Sequence, residues 1–252
     1  MTPDSFSDGG LYFDAGAAVA HGEELARAGA AILDVGGEST RPGAEEVGVK
    51  EELRRVVPVI EGLAGLEIEI SIDTSKAAVA AAALDAGAAI VNDVTALRGD
   101  PEMAPLCADR GTTVVLMHML GTPRTMQRDP VYDDVVADVK AFLAERIEAA
   151  LVVGMAEERI WLDPGIGFGK TAEHNMELLR RLPELAELGR PLVVGTSRKS
   201  FIGRVDGSDS DHRLGGTIAS SVLAAAAGAE VLRVHDVAEV GQALAVATAV
   251  LG

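Results

Sequence analysis

Asp163 ends the apolar run "RIWLDPG" (159–165) and opens "DPGIGFGK", a carboxylate followed by three glycines and Lys170. Glycine-rich turns after strands can cradle phosphate, but neither the GxGxxG nor the GxxxxGK[ST] spacing is present. A carboxylate held at a strand end suits an edge with two adjacent donors, such as a guanidine or an aminopyrimidinone. The plainer alternative is an aspartate capping its own turn. "GTSRKSFIG" brings Ser197, Arg198 and Lys199 to the end of another apolar run, with Ser200 next. The chain has only five lysines, so one beside an arginine at a strand exit points to anion or carbonyl recognition. "RVHD" carries Arg233 and His235 on alternate positions, hence on one strand face, just before a helical stretch whose N-terminus adds to an anion site. Arg41 lies in the middle of "GGESTRPGAEEV", a long loop from which a guanidinium can clamp a leaving anion. "SIDTSK" offers Asp73, with Thr74 or Ser75 placed to cap the next helix, and "IVNDV" offers Asn92, an amide that donates and accepts. Carboxylates, an amide and a lysine converging on one mouth fit a heterocycle better than a metal cage. No spacing matches a zinc site, and no GxSxG elbow is present. In "LMHM", Met117 and Met119 are a polarizable lining or plain packing.

Seven apolar runs carry these groups at their ends: 30–36, 68–74, 88–94, 112–118, 159–165, 191–197 and 230–236. Each is apolar on both faces, as strands of a covered parallel sheet are. Amphipathic stretches lie between them, and "ARAGA", "LDAGA" and "AAAGA" each end a helix with a glycine before the chain enters a strand. No linker or shift in composition interrupts this unit, so 1–252 is expected to be one domain. Alternating strands and helices give an open doubly wound sheet or a closed (β/α)8 TIM barrel. Polar groups end nearly every run (Asp34, Asp73, Asn92, His118, Asp163, Ser197, His235), and only a barrel gathers all strand ends around one mouth. The expectation is a barrel with seven visible strands.

Of the 252 residues, 48% are hydrophobic and 3% aromatic, which makes an aliphatic core large enough for an α/β domain. A net charge of −17 argues against nucleic acid or an anionic membrane surface as partner. With no long apolar span, no basic leader and a single cysteine, Cys107, a cytoplasmic location is expected.

In order along the chain, "TPDSFSDGG", "DVGGESTRPG", "IDTSK", "NDV", "LMHM", "DPGIGFGK", "TSRKSF" and "RVHD" resemble the dihydropteroate synthase family, a pterin-binding TIM-barrel family. The resemblance implies condensation of 6-hydroxymethyl-7,8-dihydropterin diphosphate with p-aminobenzoate to 7,8-dihydropteroate and pyrophosphate, as a step of folate biosynthesis. It implies a homodimer, Mg2+ as cofactor and sulfonamides as competitors. Asp73, Asn92, Asp163 and Lys199 fall where the family holds the pterin. Arg233 and His235 fall at the diphosphate, with Thr40 and Arg41 over it, and Phe6, Pro42, Phe168 and Ser200 at the p-aminobenzoate pocket. Arg41, Asp163, Lys199, Arg233 and His235 are the expected catalytic set. In the family a first strand ending in an asparagine, a magnesium ligand, precedes the opening loop. Met1 stands where the family has a valine, so the resemblance places that strand and ligand upstream of Met1 and leaves no metal ligand in this chain. The alternative is an N-terminally truncated or degenerate paralogue that binds pterin without synthase activity. A pterin-binding methyltransferase should lack "STRPG" and "SRKSF", both present here.

Overall fold

The computed structural model describes residues 14–41 and 43–251. The chain runs α1 (Ala15–Arg27), β1 (Ile32–Gly36), α2 (Val49–Leu63), β2 (Glu69–Asp73), α3 (Ala77–Asp85), β3 (Ile90–Asp93), α4 (Met103–Arg110) and β4 (Thr113–Met117). It continues through α5 (Val135–Val152), β5 (Ile160–Asp163), α6 (Ala172–Arg180), α7 (Leu182–Ala186), β6 (Val193–Val194), α8 (Ser200–Asp206), α9 (Leu214–Ala226), β7 (Val231–Leu232) and α10 (Val237–Leu251). Each of the seven apolar runs contains one strand. The three glycine hinges also form: Gly29, Gly87 and Gly228 take φ of +99°, +117° and +103°, a left-handed exit from a helix that a Cβ would resist.

β1 to β5 form a five-stranded parallel sheet in sequence order, and β6 pairs with β7, again in parallel. Among the described residues a single parallel bridge, Leu162 with Leu192, connects the two sheets. Among the described residues no backbone ladder joins β7 to β1. Parallel strands need crossover helices, and these bury the outer face. Val56, Val59, Ile60 and Leu63 of α2 and Val136, Val139 and Leu143 of α5 pack there with Leu33, Ile72, Val114 and Leu162. On the other face Ile90, Val115 and Val193 form a separate cluster, joined by Ile32, Trp161 and Val231. That cluster draws on β1, β3, β4, β5, β6 and β7, so it lies where strands from both sheets converge. Cys107 is fully buried on α4, as expected of a small core residue.

Thr74 and Ser75 do not cap α3. Lys76 occupies the cap position and makes no side-chain cap bond, while Asp100 Oδ2 accepts from the Ala77 amide at 2.9 Å. The Thr74 hydroxyl instead donates at 2.7 Å to Glu52, a carboxylate on α2 22 residues away.

Candidate active site

Parallel register sets the strand ends side by side: Asp73 on β2 pairs with Asn92 on β3, and Met117 on β4 with Asp163 on β5. Arg233, the residue after β7, bridges to the first two strands. Its Nε donates to Asp34 Oδ2 at 2.7 Å and its Nη2 to Asp73 Oδ2 at 3.4 Å. Asp34 Oδ1 and Asn92 Oδ1 are buried and accept no hydrogen bond within the described protein. Two desolvated acceptors of this kind are costly unless a ligand N–H reaches them.

Burial, then the Asp34 carboxylate, push Asp73 up to about 7, with Arg233 opposing. A carboxyl that binds its proton more tightly folded than unfolded contributes stability at low pH and loses it as pH rises through the folded value. The share of the unfolding free energy that Asp73 contributes should therefore fall between about pH 4 and pH 7, so the difference between the wild type and Asp73→Asn should decline across that window. Superimposable profiles would show that Asp73 carries no such shift. Burial also raises Asp163, against Lys199, the Gly165 amide, Lys170 and Arg233, and it pulls Lys199 down to about 8, against Asp163.

Asp163 Oδ1 accepts from the Gly165 amide at 2.6 Å, so the plain turn-capping role is also present. The turn behind it is held at every carbonyl from 165 to 169. Lys170 donates to Gly165 O and Phe168 O, both at 3.0 Å, and Lys199 donates to Ile166 O. Gln127 reaches Gly167 O and the Tyr132 hydroxyl reaches Gly169 O, each at 2.7 Å. Lys170, 3% exposed, also brings its Nζ to 2.9 Å from His118 Nδ1, and burial holds its amine well below the usual lysine range. Burial, then Lys170, bring His118 down to about 3, so its imidazole is neutral. Lys170 is thus committed to the chain's own acceptors, which rules out a phosphate-cradling lysine at this turn.

Of the three donors ending β6, Lys199 takes a carbonyl, Ser197 Oγ meets His235 Nδ1 at 2.8 Å, and Arg198 pairs with Asp236. Arg198 therefore does not face an open anion site. The Lys199 ammonium lies 4.9 Å from the centroid of the Phe168 ring, which packs against Met117, Met119, Met126 and Val94. Both methionines in question are packing residues of that wall. Ser200 is exposed at the first position of α8. Thr40 and Arg41 are half-buried in the loop between β1 and α2. Phe6 and Pro42 lie outside the described residues.

The structure thus gathers Asp73, Asn92, Asp163, Lys199, Arg233 and His235 at one set of strand ends. It adds Asp34, visible beforehand as a strand-end carboxylate but given no role, and Lys170, whose burial no local pattern announced.

Residues 1–235 match the family of pterin binding enzymes. A dihydropteroate synthase of Escherichia coli (strain K12) is 48% identical over 252 residues, covering 100% of this chain and 89% of that protein. The Yersinia pestis dihydropteroate synthase solved with a sulfonamide drug superposes with a TM-score of 0.96 at 45% identity, covering 99% of this chain and 91% of that one. The Xanthomonas albilineans dihydropteroate synthase solved with 4-aminobenzoic acid gives 0.93 at 51% identity, covering 100% and 90%. The chain belongs to the pterin-binding enzymes and, within them, to the dihydropteroate synthases.

Proposed function

We propose that this chain joins 6-hydroxymethyl-7,8-dihydropterin diphosphate to p-aminobenzoate, releasing 7,8-dihydropteroate and pyrophosphate. The observation that carries the reading is the wall made by Asp163, Asn92 and Lys199: a buried carboxylate, an orphaned amide oxygen and an ammonium already seated on a carbonyl. A pterin presents the complementary edge. Asp163 accepts from its amidine-like N–H pair, Asn92 and Asp73 take further ring donors, and Lys199 donates to the ring carbonyl. Arg233 and His235, with the N-terminus of α10, hold the diphosphate. Thr40 and Arg41 bear on it from their loop, and Phe168 and Ser200 face the arylamine. The methylene C–O bond breaks and its electron pair leaves on pyrophosphate. Asp163 stabilises the cation delocalised into the ring, and the arylamine lone pair closes the C–N bond before its nitrogen gives up a proton.

Magnesium belongs to this proposal as a companion of the diphosphate, where it offsets leaving-group charge. Among the described residues no group of three or more His, Cys, Asp or Glu stands together to hold a metal. The donors present therefore do not fit a protein cage, and no step is derived through the ion. Sulfonamides are included as competitors for the arylamine pocket, after the Yersinia pestis relative.

The reading extends to architecture: residues 1–252 as one domain, its seven strands arranged as those of the (β/α)8 barrel. Arg233 reaching from the end of β7 to Asp34 on β1, and the inner cluster shared by strands of both sheets, support that arrangement. A homodimer is supported by α10, whose sole fully buried side chain is Val240 while Val246 and Val250 are 60% and 78% exposed. No helix among the described residues is long and apolar enough to cross a membrane. A cytoplasmic location completes the proposal.

The test is pyrophosphate release that depends on p-aminobenzoate; its absence from the folded protein would sink the reading. Within it, His235→Ala and Arg233→Ala should weaken pyrophosphate and the diphosphate substrate while the bare pterin alcohol still binds. Equal losses for both ligands would make these residues structural.

A further inference from the structure

The loop that carries Thr40 and Arg41 is tied at its base by one carboxylate. Glu38 Oε1 accepts from the Val47 amide at 3.3 Å, nine residues along, so the two ends of the loop meet at this side chain. Its other oxygen accepts from the ammonium of Lys76. Lys76 ends the "SIDTSK" segment, in which the reaction uses Asp73 but assigns Lys76 no role. The same ammonium donates at 2.6 Å to Oε2 of Glu52, which is fully buried on α2, and the other oxygen of Glu52 is taken by Thr74. One residue before Glu38, the carbonyl of Gly37 accepts from Arg55 Nη1 at 2.9 Å. The loop is therefore fastened to α2 and to the β2–α3 connection through a lysine only 16% exposed.

We propose that Lys76 is a positioning residue for the reaction: by fixing Glu38 against Glu52 it sets the span 38–47, and with it the placement of Thr40 and Arg41. Two carboxylates share one cation here, so removing the cation would leave both unpaired, one of them fully desolvated. Among the described residues the Lys76 ammonium hydrogen-bonds to Glu38 and Glu52 and not to Asp73, Asn92, Asp163 or Lys199, so pterin recognition and loop placement are separable. The inference rests on the proposed roles of Thr40 and Arg41.

Lys76→Met alone strands the Glu52 charge, so the informative variant is Lys76→Met with Glu52→Gln, which leaves the buried pair neutral and Glu38 untethered. Lys76→Arg is the rescue. In the double variant the Val47 amide should exchange with solvent roughly tenfold faster, without any substrate present. The KM for the pterin diphosphate should rise roughly tenfold or more, because Thr40 and Arg41 bear on its diphosphate and small misplacements of such groups are costly to a reaction. Bare pterin affinity, measured by calorimetry, should stay within about twofold, because neither substitution removes a group assigned to the ring. Lys76→Arg should restore both altered readouts. Faster exchange at Val47 with an unchanged KM would overturn the positioning role, and parallel losses for the bare pterin and the diphosphate substrate would reduce Lys76 to a stability residue. Unaltered exchange at Val47 would show that Lys76 does not tie the loop. If the wild type releases no pyrophosphate, the functional reading fails, while the exchange comparison still decides whether Lys76 fixes the loop.

Discussion

Asp163→Asn should weaken binding of the bare pterin at least tenfold. The carboxylate is 7% exposed at the end of β5, and one of its oxygens already accepts from the Gly165 amide. The amide variant keeps that bond through its own oxygen, which turns an NH2 group toward the ligand where an acceptor stood. A charge-assisted pair worth roughly 1.5–3 kcal/mol is lost, and donor then faces donor. On this scale the loss is between about tenfold and a hundredfold. Calorimetry on the folded variant decides it, and unchanged affinity would remove Asp163 from the pterin contact.

The largest effect on stability is expected at Gly165. Its φ is +68°, and a Cβ there would lie 1.9 Å from the His118 carbonyl oxygen and 3.1 Å from its carbon. Both are backbone atoms at the end of β4, so no side chain can swing away. Left-handed strain and overpacking add to roughly 3–5 kcal/mol for Gly165→Ala. Gly111→Ala, with φ +60° and nothing within 4 Å of the added carbon, isolates the strain from the overlap. Equal losses in the two variants, read by chemical denaturation, would show that the contact with His118 relaxes freely.

All seven strands were legible because a strand covered on both faces reads as an unbroken apolar run, and its register needs no side-chain alternation to be placed. The polar groups at the run ends were legible for the same reason: each breaks its pattern where the strand leaves the core. What stayed hidden were contacts between distant positions. Arg233 meets Asp34 199 residues away, Lys170 meets His118 52 away and Lys76 meets Glu38 38 away, and no local spacing encodes such pairs. The cap expected of Thr74 failed similarly, since its hydroxyl had a stronger acceptor in Glu52 on a different helix. Strand lengths at β6 and β7 were overread because each is limited by how far its partner runs alongside, which composition does not record.

The turn from Gly165 to Gly169 has a consequence for how the site tells full from empty. With each carbonyl gripped by a side chain, this wall has little freedom left to lose when something binds, so its shape belongs to the vacant protein. Lys199 is the exception, because the carbonyl it grips, that of Ile166, is the same kind of group it would offer itself to on a pterin. On the proposed role of Lys199, the Ile166 carbonyl stands as a surrogate for the ring carbonyl. A ring carbonyl arriving at Lys199 trades with or shares the contact with Ile166, so the affinity registered there is the difference between two similar bonds. A molecule that leaves the Ile166 contact in place, and takes only the edge of Asp163, would escape that competition.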